Sequence, residues 1–200
     1  HYMPASRQSF EKVVGVVGGA GSGKDTVANI FQQNGFTHIS SSDLVREEIA
    51  RRGLTTSREL QTKIANEQRE KHGIGYWVDL ALDQIEQPTA RVAVSGLYAP
   101  GEGVHLMDEY SGTLVGVAAG AGDDSALRFD RIKSRSSGDR DRLDFEEFMV
   151  AHERENSGVL DHETNIARLM TMARFVIYNV ADLDELERQT LAVIDEVMKG

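Results

Sequence analysis

Apolar positions along the chain fall into two periods. Residues 13–17 form a short, nearly continuous apolar run ending in glycines, the pattern of a strand buried on both faces. A helix is expected from 24 to about 34, then a second strand around 36–39. Ser42 or Asp43 is placed to cap a helix running through Glu47 and Glu48 to Arg52. A long helical stretch starts at Ser57, and a further helix over 76–85 carries Trp77, Leu80, Ala81 and Ile85 on one stripe. Residues 92–94, 114–118 and 175–178 read as strands. Between the last two lie an Arg-rich helix near 126–135, a Ser-Gly break, a helix from 143 to about 156 and a short helix near 166–172. Strands alternating with helices predict parallel pairing in an open sheet covered on both faces.

Composition narrows the function. The 200 residues fit one domain able to bury a core without metal or disulfide staples. With 22 Lys and Arg against 32 Asp and Glu, the net charge is -10, which disfavours a nucleic-acid partner but leaves small anions in a local pocket. There is no Cys, so no disulfide, zinc-thiolate site or thiol nucleophile; the histidines are scattered without metal-ligand spacing. No apolar run approaches the roughly 20 residues that cross a bilayer, and the first residues lack signal-peptide order. A cytoplasmic protein with no membrane or nucleic-acid partner is the expectation; its oligomeric state is not legible.

The strongest chemical signal is the segment Gly18-Gly19-Ala20-Gly21-Ser22-Gly23-Lys24-Asp25-Thr26, which follows the first strand and opens a helix. Glycines let successive backbone N–H groups face a nucleotide's phosphates, the helix N-terminus adds positive potential, and Lys24 can reach the outer phosphates. The position after the lysine is usually Ser or Thr, whose hydroxyl ligates Mg²⁺; here it is Asp25. A carboxylate binds Mg²⁺ directly or through its water, or Asp25 simply favours the helix start.

This loop, together with ISSSDLVREE (39–48), ELQTKIANEQREKHG (59–73), RFDRIKSR (128–135) and FVIYN (175–179), resembles the P-loop nucleoside and deoxynucleoside monophosphate kinases, in the dephospho-CoA-kinase-like branch. The resemblance implies a three-layer αβα fold with a mostly parallel five-stranded sheet. It implies one domain over 1–200, with an acceptor-binding helical segment at about 40–87 and an Arg-rich lid at about 123–157. In such kinases the loop holds ATP, with Mg²⁺, and the segment after the second strand holds the acceptor. Arg46 would then grip an acceptor phosphate, with Arg69 adding to it or lying on the solvated face of its charged helix, while Asp43 would bind the acceptor's sugar or take a proton from its hydroxyl. Asn179 matches a position near the donor's adenine.

Residues 128–142 hold six basic side chains against three acidic ones in an otherwise acidic chain. Arg128, Arg131 and Arg135 share one helical face, where guanidinium groups clamp a phosphoryl group in transit or join surface salt bridges. The chain departs from the family after the third strand, where an Asp and, three residues on, an Arg are usual. It has Ser95 and Tyr98 instead, and Glu102 follows at the usual acidic position, where an ordinary helix-start Glu explains it as well. The expected activity is transfer of the γ-phosphoryl of ATP to a nucleotide-like acceptor, a nucleoside or deoxynucleoside monophosphate. The alternatives are phosphorylation of a hydroxyl, as on dephospho-CoA, and a non-catalytic ATP-binding switch.

Overall fold

The computed structural model describes residues 9–86, 90–135 and 145–200. Its five strands are β1 (Lys12–Val17), β2 (Thr37–Ser40), β3 (Arg91–Ser95), β4 (Thr113–Ala119) and β5 (Phe175–Asn179). They form one sheet in the order β2-β3-β1-β4-β5, and every pair is parallel. Parallel neighbours need crossover helices, and these cover both faces.

β1 shows why the apolar run is continuous. Val14 and Val16 face one core with Val27, Ile30 and Phe31 of α1 (Lys24–Gln33) and Leu186 and Ile194 of α9 (Leu183–Lys199). Val13 and Val17 face the other core, where α2 (Ser41–Arg51), α3 (Arg58–His72) and α4 (Tyr76–Asp83) pack with α5 (Pro100–Tyr110). Trp77 is buried in that second core and its indole N–H donates to the Ala65 carbonyl, while Met170 and Met172 pack at its edge.

The remaining helices are α6 (Ser125–Arg135), α7 (Phe145–Glu155) and the short α8 (Ile166–Met170). Phe129, Phe145 and Phe148 hold α6 against α7, with ring centroids 5.2–5.6 Å apart for the Phe129 pairs. The expected cap of α2 is corrected by two or three residues. Ser40 holds the N-cap position in extended conformation, and Ser42 and Asp43 lie inside the first turn, because β2 runs straight into the helix. Ser57 does cap α3, its hydroxyl accepting from the Leu60 N–H at 3.1 Å. The helix read over 76–85 stops at Asp83. Helices α5 and α9 went unnamed in the sequence reading.

After β3 the chain crosses over β1 to reach β4, so the direction of winding reverses beside β1. In open parallel sheets that reversal opens a crevice at the carboxyl ends of the strands. The glycine-rich loop leaves β1 at that edge. Among the described residues, no helix is long and apolar enough to cross a membrane.

Candidate functional site

The loop between β1 and α1 is shaped by its glycines. Gly21 (φ 77°) and Gly23 (φ 103°) sit in the left-handed region, which lets the backbone curl before α1 begins at Lys24. A Cβ on Gly19 would collide with the Arg128 guanidinium, and one on Gly23 with the Asn179 amide. Ser22 is wholly buried and its hydroxyl has no hydrogen-bond partner. A buried, unpartnered hydroxyl in a cradle of glycine N–H groups at a helix N-terminus fits a phosphate oxygen. Lys24 is half-buried, Asp25 exposed and Thr26 half-buried, all in the first turn of α1.

Three anchors hold the loop. The Asn179 amide at the end of β5 donates to the Ser22 carbonyl at 3.0 Å. Arg131 of α6 donates to the Asn179 carbonyl at 2.7 Å. Arg128, buried at 2 % exposure, donates to the Ala20 carbonyl at 3.4 Å and to His152 Nδ1 at 2.7 Å, and its Nε lies 3.6 Å from Asp123. Its guanidinium also sits 5.6 Å from the centre of the Phe148 ring. Burial, and secondarily the charge of Arg128, pushes the His152 imidazole below its ordinary pKa, which keeps Nδ1 free to accept. The structure thus joins Arg128, Arg131 and Asn179 to the loop. The side chain of Arg135, and all of Arg140 and Arg142, lie outside the described residues.

Across the crevice, β2 and β3 bring His38 to Ser95, with Nε2 and Oγ 2.7 Å apart. Asp25 and Asp43 both act electrostatically on His38, so these four residues share one end of the sheet. Burial is the larger influence and holds the imidazole below its ordinary value. Asp43 itself is exposed and paired with Arg46 one turn on in α2. His38 was missed by sequence reasoning; a lone histidine between Thr37 and Ile39 carries no motif.

The cleft beside the loop is open to solvent and has a cavity volume of about 70 Å³. Ala20 forms one wall, Ser42 and Val45 of α2 another, and Arg58, Gln61, Thr62 and Ala65 of α3 the floor. Tyr98 lines it beyond β3, and Glu155 of α7 and Thr164 close the far side. Arg69 is absent from this lining. It is 2 % exposed, 3.5 Å from the equally buried Glu102, and donates to the His162 carbonyl at 2.8 Å and to Thr164 at 3.2 Å. Glu102 in turn accepts from the Tyr98 and Ala99 N–H groups at 3.0 and 2.9 Å, closing the start of α5. Arg58 and Glu155, also missed, meet across the cleft, with Nη2 to Oε1 at 2.7 Å.

Comparison with known proteins agrees with this geometry. The sequence profile of an AAA domain matches residues 17–96, the loop through β3. A gluconokinase from Sinorhizobium meliloti 1021 superposes with a TM-score of 0.54 at 14% identity, covering 96% of each chain. A dephospho-CoA kinase from Campylobacter jejuni gives 0.52 at 19% identity, covering 94% of this chain and 98% of its own. The fold is therefore that of the P-loop kinases. A UPF0200 protein of Pyrobaculum aerophilum is 30% identical over 188 residues, 92% of this chain and 98% of the relative. The chain belongs to the UPF0200 family.

Proposed function

We propose that this protein transfers the γ-phosphoryl group of ATP to a small-molecule acceptor seated in the cleft between the glycine-rich loop, α2 and α3. The observation that carries the reading is the phosphate cradle: left-handed Gly21 and Gly23, the unpartnered Ser22 hydroxyl and half-buried Lys24 at the head of α1. Gly19 to Thr26 would hold the donor's phosphates, with Lys24 on the outer ones. Phosphoryl transfer asks the protein for alignment, charge neutralisation and exclusion of water rather than covalent chemistry.

The residues at the head of α1 would admit Mg²⁺ with the nucleotide, and the ion would supply charge neutralisation there. Among the described residues no group of three His, Asp or Glu side chains could hold a metal ion alone, and Asp25 is the carboxylate that would help to hold it. Arg131 and Arg135 are the proposed lid cations that meet charge developing on the transferred group. Arg128 would act by fixing the loop, and Asn179, which ends β5 and bonds to the loop, would lie near the donor base.

A monophosphate acceptor would need cations in the cleft. Arg46 is engaged by Asp43 at the surface, and Arg69 is locked against Glu102 beneath the cleft. The burial of Arg69 against Glu102 favours the hydroxyl-bearing acceptor over the nucleoside monophosphate. The acceptor oxygen would bond to the γ-phosphorus as the bond to the β,γ-bridging oxygen breaks. ADP leaves with that electron pair, and the hydroxyl proton passes to Asp43. The test is ADP release with ATP and Mg²⁺ across a panel of monophosphates and hydroxyl acceptors. Release that depends on one acceptor supports transfer; tight ATP binding with no release under any acceptor supports the non-catalytic switch.

A further inference from the structure

The charges that line the acceptor cleft cancel. Among the described residues that line it, Arg58 and Glu155 are the only ionic ones, and they are spent on each other, Nε and Nη2 both donating to one oxygen, Oε1, at 3.1 and 2.7 Å. Ser42, Gln61, Thr62 and Tyr98 add hydroxyls and an amide. Both members of the pair oppose their own helices. Arg58 is the first residue of α3, where the helix end is already positive, and Glu155 is the last of α7, where it is already negative. Neither charge is placed there for its helix; the pair is what the two positions share.

An anionic acceptor could take Arg58 only by parting it from Glu155. That would leave the carboxylate, whose side chain is only 13 % exposed, unpaired at a negative helix end and beside the incoming anion. An uncharged molecule rich in hydroxyls asks for no such exchange. Its hydroxyls donate to the carboxylate and accept from the guanidinium while the pair stays closed. Resting on the phosphoryl-transfer reading above, we infer that the part of the acceptor entering this cleft is an uncharged polyhydroxylated group of the sugar or polyol class, with the Arg58–Glu155 pair as its specificity determinant.

The experiment has two arms. ATP binding is measured first by calorimetry on the full chain; if ATP fails to bind, the phosphoryl-transfer reading itself falls. With ATP and Mg²⁺ present, ADP release is then followed with glycerol, D-ribose, D-glucose, myo-inositol and adenosine, against AMP, dAMP, D-gluconate, shikimate and dephospho-CoA. At least one uncharged probe is expected to raise release tenfold or more over the background without acceptor. Glu155→Gln is expected to raise KM for that probe about tenfold with a smaller change in kcat, and Glu155→Asp to recover part of the loss, with thermal unfolding confirming both variants are folded. Stimulation by the anionic probes alone, or by none of the probes although ATP binds, overturns the inference. So does a folded Glu155→Gln protein with an unchanged KM.

Discussion

The phosphate loop and the acceptor cleft share a wall at Ala20 and present opposite chemistry. The loop offers backbone N–H groups, a helix N-terminus and Lys24, with the Asp25 carboxylate next to it, all from one continuous segment. The cleft offers a closed ion pair and neutral polar groups drawn from α2, α3, α7 and two connecting loops. In the proposed reading the first site takes a highly charged phosphate chain and the second a ligand that brings little charge. An acceptor that brings little charge adds no repulsion of its own to the phosphate chain beside it.

The sharpest way to break the comparison is to move charge beneath the cleft. Arg69→Met leaves Glu102 buried without its cation and is expected to destabilise the fold by about 3–5 kcal/mol, read from denaturant unfolding. A stable, inactive Arg69→Met protein would instead make Arg69 an acceptor ligand. On the loop side, Lys24→Ala should cut turnover on the order of 100-fold or more, about 2.7 kcal/mol of transition-state stabilisation, without unfolding the chain. Asp25→Ala should raise the Mg²⁺ concentration needed for half-maximal turnover by on the order of tenfold; an unchanged Mg²⁺ dependence would return Asp25 to a helix-start role.

The smallest expected effect is a pH slope. His152 is held below its ordinary pKa, so as pH falls from about 6.5 the unfolded chain takes up a proton that the folded one resists. Stability contributed by the neutral imidazole is therefore lost as pH falls through the folded value, and loosening of Arg128 from the loop should follow. His152→Gln should flatten that part of the acid-side loss in melting temperature relative to the unmodified chain; an identical pH profile would separate His152 from the anchoring of Arg128.

How much of this was legible in the sequence follows from where each feature is encoded. The strand run 13–17 and the glycines after it lie in one segment, so β1, the loop and α1 could be read directly. The all-parallel sheet followed from alternating periods. Helix α5 escaped because its opening Pro-Gly-Glu-Gly resembles a turn, and only the folded chain shows Glu102 closing its first turn. The cleft was illegible for a different reason: Arg58 and Glu155 are 97 residues apart, and nothing local joins them. One signal was present in retrospect, a cation opening a helix and an anion ending one, each against its own dipole. Arg69 teaches the converse. Its charged helix suggested a solvated or ligand-facing guanidinium, whereas burial beside Glu102 and Thr164 places it under the cleft wall.

The most direct test is phosphorus NMR of the full chain mixed with ATP, Mg²⁺ and the acceptor panel. The γ-phosphoryl signal of ATP should be replaced by that of a phosphomonoester on an acceptor hydroxyl, with ADP formed in equal amount and the conversion lost in Lys24→Ala. Conversion of a monophosphate to a diphosphate would contradict the neutral cleft, and ATP left intact with every acceptor would contradict phosphoryl transfer altogether.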